Sequence, residues 1–130
     1  MKYGYTILYV TDVVKTIEFY EKAFGFKRKM ITPDNDYGEL QTGGTCIGFV
    51  SMEMGKSNFT KGLQKADQSR LPFGIELAFT TKTIEKDFQR ALDAGAIQWE
   101  PLREKPWGQT VGYLLDNNGF LIEICTPMDD

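Results

Sequence analysis

The chain of 130 residues contains no histidine. That absence removes imidazole as a metal ligand and as an acid–base group, the roles histidine dominates near neutral pH. Cysteine is scarce too: Cys46 and Cys125 lack CxxC spacing, and each sits in an apolar, strand-like run where a thiol behaves as a small buried hydrophobe. No apolar stretch approaches the ~18 residues of a membrane span, and Met1-Lys2-Tyr3 does not open a signal peptide. The expectation is a soluble, cytoplasmic protein with reduced thiols and no membrane partner. Clustered basic charge is also missing, with net charge −3 and a pI near 5.0. The one dense run, Lys27-Arg28-Lys29, follows a predicted helix and reads as its solvated C-terminal end. A nucleic-acid partner is therefore not expected. No Ser or Cys has a candidate base beside it, and no glycine-rich loop has phosphate-binding spacing, so nucleophilic catalysis has no support.

What is present is enough apolar material for one core (42% hydrophobic, 13% aromatic) and one pattern written twice. Tyr3 to Thr11 is rich in β-formers, with Thr6, Leu8 and Val10 on one face and Tyr5, Ile7 and Tyr9 on the other. Asp12 is placed to cap a helix whose apolar stripe is Val13, Ile17, Tyr20 and Phe24, with Gly25 closing it. The same grammar returns at Ile75 to Thr80, with Thr81 or Thr83 as cap, Ile84, Phe88, Ala91 and Leu92 as stripe, and Gly95 as stop. Strands are predicted at Lys27–Ile31, Tyr37–Thr42 and Cys46–Met52, then at Ile97–Leu102, Thr110–Asp116 and Leu121–Thr126, joined by turns such as Thr42-Gly43-Gly44 and Asn117-Asn118-Gly119. Tyr37-Gly38-x-Leu40 matches Val111-Gly112-x-Leu114, and Ile47-Gly48-Phe49 matches Ile122-Glu123-Ile124.

The reading is a single α+β domain of two βαβββ modules, residues 1–52 and 72–130, whose curved mixed sheets surround a groove. Residues 53–71 are polar, break both periodicities and read as a connector or as a loop over the groove.

Val10-Thr11-Asp12, Phe19-Tyr20-x-x-x-Phe24-Gly25-Phe26, Ala91-Leu92-x-x-Gly95-Ala96, Trp107-Gly108 and Asp116-x-x-Gly119-x-x-Ile122-Glu123 occur in that order along the whole chain. Together they resemble the glyoxalase/bleomycin resistance/dioxygenase superfamily, the vicinal oxygen chelate fold, closest in character to its non-metal antibiotic-binding members. Enzymes of that family hold a divalent metal on His, Glu or Gln from the first and last strands of each half. The resemblance carries those positions onto Tyr5, Gly48, Glu76 and Glu123. A phenol, a residue without a side chain and two carboxylates are a poor set for imidazole-preferring metals, and too few oxygens for Mg²⁺ or Ca²⁺. No cofactor is expected beyond a weakly held divalent ion. The resemblance also implies a homodimer.

If Glu76 and Glu123 share one cavity, their repulsion favours a bound proton or cation, or an acid–base pair. The competing readings are neutralisation by Arg90, Arg103 or a lysine, exposure at the mouth, and a slip that puts Ile75 or Gly74 in place of Glu76. Pro106-Trp107-Gly108-Gln109-Thr110 resembles the stretch on which the antibiotic-binding members stack a planar ligand, and an indole on a turn suits that role. Tyr5, Tyr37, Phe49 and Tyr113 are candidates to line the same groove; Tyr9 and Trp99 read as packing residues. The preferred function is metal-independent binding of a planar, cationic or amphipathic small molecule, of the bleomycin-resistance type. The alternatives are a lyase- or isomerase-like enzyme using Glu123 and Glu76, and an interaction module whose groove has lost its function.

Overall fold

A computed structural model describes residues 1–128. The chain divides into two compact units, the first running through Lys65 and the second starting at Ala66. Each is a helix laid on a four-stranded mixed sheet, so the duplicated βαβββ reading holds. In the first unit β1 (Tyr5–Val10), α1 (Val13–Phe24), β2 (Lys27–Ile31), β3 (Tyr37–Gln41) and β4 (Cys46–Ser51) give the strand order β1-β4-β3-β2. After α2 (Met52–Asn58), the second unit repeats it with β5 (Glu76–Thr80), α3 (Ile84–Asp93), β6 (Ile97–Glu104), β7 (Thr110–Leu115) and β8 (Leu121–Cys125) in the order β5-β8-β7-β6. Within each sheet the first strand pairs in parallel with the last, and the other pairs are antiparallel.

Local chemistry explains the helices. Asp12 caps α1 by accepting the Lys15 N–H at 3.0 Å, and Gly25 ends it in the left-handed conformation. Val13, Ile17 and Tyr20 from the expected stripe are buried, with Tyr20 packed on Phe49 of β4 at 5.0 Å between ring centroids. In α3, Thr83 occupies the cap position without a capping bond of its own; the Thr81 and Thr83 hydroxyls instead donate to Asp87 in the first turn. Those donors hold the Asp87 carboxyl below its ordinary range.

The matched motifs Tyr37-Gly38-x-Leu40 and Val111-Gly112-x-Leu114 share a steric reason. A Cβ on Gly38 would meet Val13 of α1 at 3.2 Å, and one on Gly112 would meet Phe88 of α3 at 2.6 Å. Each glycine lets its helix sit close on the sheet, and Leu40 and Leu114 fill the same face at 0% exposure.

Two expectations change. The stretch read as an irregular connector opens with α2, capped by Ser51 accepting from Met54 N–H at 3.2 Å; seven residues are too few to print a helical period. Tyr9 is a packing residue, as expected, with its ring 5.5 Å from that of Phe59 and its hydroxyl accepting from Asn58 of α2 at 3.3 Å. Lys27-Arg28-Lys29 lies on β2 and not on a helix end, with Arg28 reaching back to Glu21 of α1 at 3.0 Å. Strand β6 also runs past Pro101, which an edge strand with register shifts on both sides of Glu100 tolerates. No helix among the described residues is long and apolar enough to cross a membrane.

Candidate functional site

In each sheet one face carries the helix and its core. The other face carries the polar residues that can meet a ligand.

In the first unit, alternation along β3 puts Gly38 and Leu40 under α1 and turns Tyr37 and Glu39 the other way. Glu39 stands directly opposite Gly48 in the β3–β4 register. The Tyr37 hydroxyl donates to Glu39 Oε2 at 2.7 Å, and Lys29 Nζ on β2 lies 3.5 Å from Oε1. The Glu39 side chain is only 12% exposed. The Tyr37 bond, with smaller contributions from Cys46 and Lys29, outweighs burial and keeps this carboxyl below its ordinary range. Burial and the same carboxylate push the Tyr37 phenol and the Cys46 thiol up, so neither is a nucleophile near neutral pH.

Glu39 and Lys29 were not singled out from the sequence, although a signal was there. Glu39 is the unspecified residue of Tyr37-Gly38-x-Leu40, and its partner in the second motif is Tyr113. The first module therefore does carry a carboxylate on this face, one strand away from the position where the family resemblance looks for it. Gly48 offers nothing itself, and the Tyr37 hydroxyl lies 2.8 Å from where its Cβ would be. Tyr5 is 57% exposed and close enough to Tyr37 to influence its ionisation. Phe49, expected on this face, is fully buried against Tyr20 on the helix side. Strand period decides that: Phe49 is one residue from Gly48 and so points the opposite way.

In the second unit, Glu76 opens β5, while Glu123 on β8 registers with Ala78 of β5 and with Tyr113 of β7. Glu76 and Glu123 are thus diagonal neighbours on adjacent strands, and the Tyr113 hydroxyl donates to Glu123 Oε1 at 3.1 Å. Glu76 is exposed as a residue, yet burial of its carboxyl, and then the charge of Glu123, raise its proton affinity. Burial, with Glu123 adding to it, pushes the Tyr113 phenol up to about 12 and the Cys125 thiol up to about 11. No ion pair among the described residues involves Glu76 or Glu123. The positive charge that comes near is Lys105, whose Nζ lies 5.9 Å from the Tyr113 ring centroid.

Trp107 stands on the turn between β6 and β7 and is 60% exposed. The turn is fixed by Gly108 N–H donating to the Lys105 carbonyl at 2.9 Å and by Gly108 adopting φ 99°. The indole N–H donates to Gln109 Oε1 at 2.7 Å, and Gln109 Nε2 donates to the Thr126 carbonyl at 2.7 Å. Trp99, on β6, is 40% exposed.

The residues present do not suit a transition-metal centre of the kind the fold family uses. There is no imidazole in the chain, Gly48 has no donor and its space is taken by Tyr37, and Glu123 already accepts from Tyr113. Among the described residues no three His, Cys, Asp or Glu side chains gather within metal-binding reach. A separate cavity of about 800 Å³ in the first unit is lined by Asp12, Lys15, Glu18, Asp34, Asp36 and Glu53 among others, and none of Tyr37, Glu39, Glu76, Tyr113, Glu123 and Trp107 borders it.

A family model described as the Glyoxalase/Bleomycin resistance protein/Dioxygenase superfamily matches residues 2–124. Among solved structures, the chain is similar to a glyoxalase-related enzyme from Fulvimarina pelagi at 18% identity and TM-score 0.81, covering 98% of this chain and 88% of the other. It is similar to a glyoxalase/bleomycin resistance protein/dioxygenase family enzyme from Burkholderia phytofirmans PsJN at 23% identity and TM-score 0.78, covering 96% and 98%. It is also similar to TioX from Micromonospora sp. ML1 at 21% identity and TM-score 0.73, covering 98% and 100%. At these identities the likeness is one of fold. No curated protein matches the chain.

Proposed function

We propose, for a chain that belongs to the glyoxalase/bleomycin resistance protein/dioxygenase superfamily, that it binds a planar, cationic small molecule without a metal, in the manner of the bleomycin-resistance members, as a homodimer. The superfamily scaffold is a small-molecule-binding one, and this chain arms it with aromatic and acidic groups. The observation that carries the reading is the pair Glu76 and Glu123, diagonal neighbours on adjacent strands with no ion-pair partner, while Tyr113 satisfies part of Glu123. A ligand cation supplies the missing charge and is favoured over the proton that Glu76 otherwise attracts. Trp107 supports the ring-binding half, because its N–H is occupied by Gln109 and its face is left to solvent.

The first module contributes differently. Its carboxylate, Glu39, is already compensated by Lys29 and hydrogen-bonded by Tyr37, so charge recognition is assigned to the second module. The test is titration with ethidium, a planar permanent cation, followed by Trp107 fluorescence in a Trp99→Phe background. Quenching that saturates supports binding. An unresponsive Trp107 and an unchanged melting temperature contradict it.

A lyase- or isomerase-like reading draws on the raised Glu76 carboxyl, which suits a general base. Retained ethidium binding by Glu76→Gln, together with loss of a turnover the parent possesses, would favour it.

A further inference from the structure

We propose that Lys105 is an intramolecular stand-in for the ligand's cation: it covers the ring face of Tyr113 and must be displaced when a cationic ligand binds. The inference rests on the binding reading above and adds a residue that sets its selectivity.

The turn from Lys105 to Gln109 holds the lysine's backbone in place. Lys105 N–H donates to the Gln109 carbonyl at 2.7 Å, and the Lys105 carbonyl accepts from Gly108 at 2.9 Å. Pro106 follows directly and fixes its own φ, so the stem leaves a rigid base. At its far end the ammonium stands 5.9 Å from the Tyr113 centroid, within the range of a cation–π contact. Lys105 is absent from every ion pair among the described residues, and the carboxylate bonded to the Tyr113 ring, Glu123, accepts from the Tyr113 hydroxyl instead. The ammonium is thus held by a ring face, an attraction that an incoming cation satisfies equally well.

The same turn presents a second ring in the opposite condition. Trp107 has its N–H tied to Gln109, and Gln109 is tied in turn to the Thr126 carbonyl, so the indole is oriented but uncovered. Two aromatic faces therefore lie close in sequence, one open and one occupied by the protein's own cation. A flat, uncharged compound can use the open indole without disturbing the lysine. A cationic compound gains the Tyr113 face and the carboxylates only by moving Lys105 aside. Its affinity is thereby lowered, and weak cations are discriminated against.

The experiment compares the parent with Lys105→Met, which keeps the stem and removes the charge, and with Lys86→Met as a charge-matched control on α3, all in the Trp99→Phe background. Ethidium and the neutral phenanthridine are titrated at pH 7.5. Lys105→Met should tighten ethidium by about two- to fivefold, the worth of a cation–π contact at an exposed site, and leave phenanthridine and the Lys86→Met protein unchanged. Ethidium binding that is unchanged or weaker in Lys105→Met overturns the inference while the binding reading stands. So does an equal gain for phenanthridine or in Lys86→Met. Failure of ethidium to bind the parent and Lys105→Met alike removes the binding reading and this inference with it. A ligand-free readout stands beside these: the Lys105 methylene protons should show an upfield ring-current shift that disappears in Tyr113→Leu, and its absence from the parent also overturns the inference.

Discussion

The hydroxyl of Tyr37 lies 2.8 Å from the point where a Cβ on Gly48 would stand, and from there it donates to Glu39 at 2.7 Å. One phenol thus fills the gap left by a missing side chain and tethers the carboxylate on the neighbouring strand. Gly48→Ala should displace that ring, break the bond and cost about 1–2 kcal/mol in denaturant unfolding. Tyr37→Phe should cost about 1 kcal/mol alone. The double variant should cost less than the two together, since both act through one hydrogen bond; full additivity would mean that Gly48 and Tyr37 are not coupled.

Glu39→Gln should destabilise the protein at pH 7 by about 1–2 kcal/mol, because a mostly buried, charge-assisted acceptor is lost. The sign with pH follows from the lowered folded-state pKa. The carboxylate's contribution is present above its unfolded value of about 4.3 and disappears as pH falls through the folded value. The gap between parent and variant should therefore be widest near neutrality and close in acid. A gap that widens below pH 4 would contradict the assignment.

Glu76→Gln should act in the opposite sense. Its folded-state pKa is raised, so ionisation costs the native state stability as pH rises from the unfolded value through the folded one. At neutral pH the variant should be more stable than the parent, by less than about 1 kcal/mol because the residue is exposed, and the difference should fade in acid. The same change should weaken ethidium binding, so stability and affinity move apart. A variant that is both less stable and equally good at binding would show Glu76 to be an ordinary surface residue.

The fold was legible in the sequence because both modules write the same periods, and because Gly38 and Gly112 mark where each helix presses on its sheet. Glu76, Glu123 and Tyr113 could also be singled out, since the motif Ile122-Glu123-Ile124 fixes which residues alternate away from the core. Phe49 was misplaced for want of the same strictness, as adjacent residues on one strand cannot share a face. Glu39 escaped because its importance lies in cross-strand register with Gly48, and register between strands is a tertiary fact. Lys105 over Tyr113 was hidden for a similar reason, since a turn has to close before its first residue can reach back to the strand. Helix α2 was too short to announce itself.

Gln109→Ala should leave the fold intact and loosen Trp107, because it removes the acceptor for the indole N–H and the link to Thr126. Time-resolved anisotropy of Trp107 in the Trp99→Phe background should show greater local motion, with unfolding free energy changed by less than about 1 kcal/mol. Unchanged indole motion would mean that the turn, and not Gln109, orients the ring.

The most direct measurement is isothermal titration of ethidium into the Trp99→Phe protein and its Trp107→Ala and Glu76→Gln/Glu123→Gln derivatives, with Trp107 emission recorded alongside wherever Trp107 is present. The expected result is saturable binding by the parent with quenched emission, weakened by about 1–3 kcal/mol when the indole is removed and weakened again when both carboxylates are neutralised. Binding that survives all of these changes undiminished, or a parent that binds nothing, would contradict a ligand site made of Trp107 and the acidic pair.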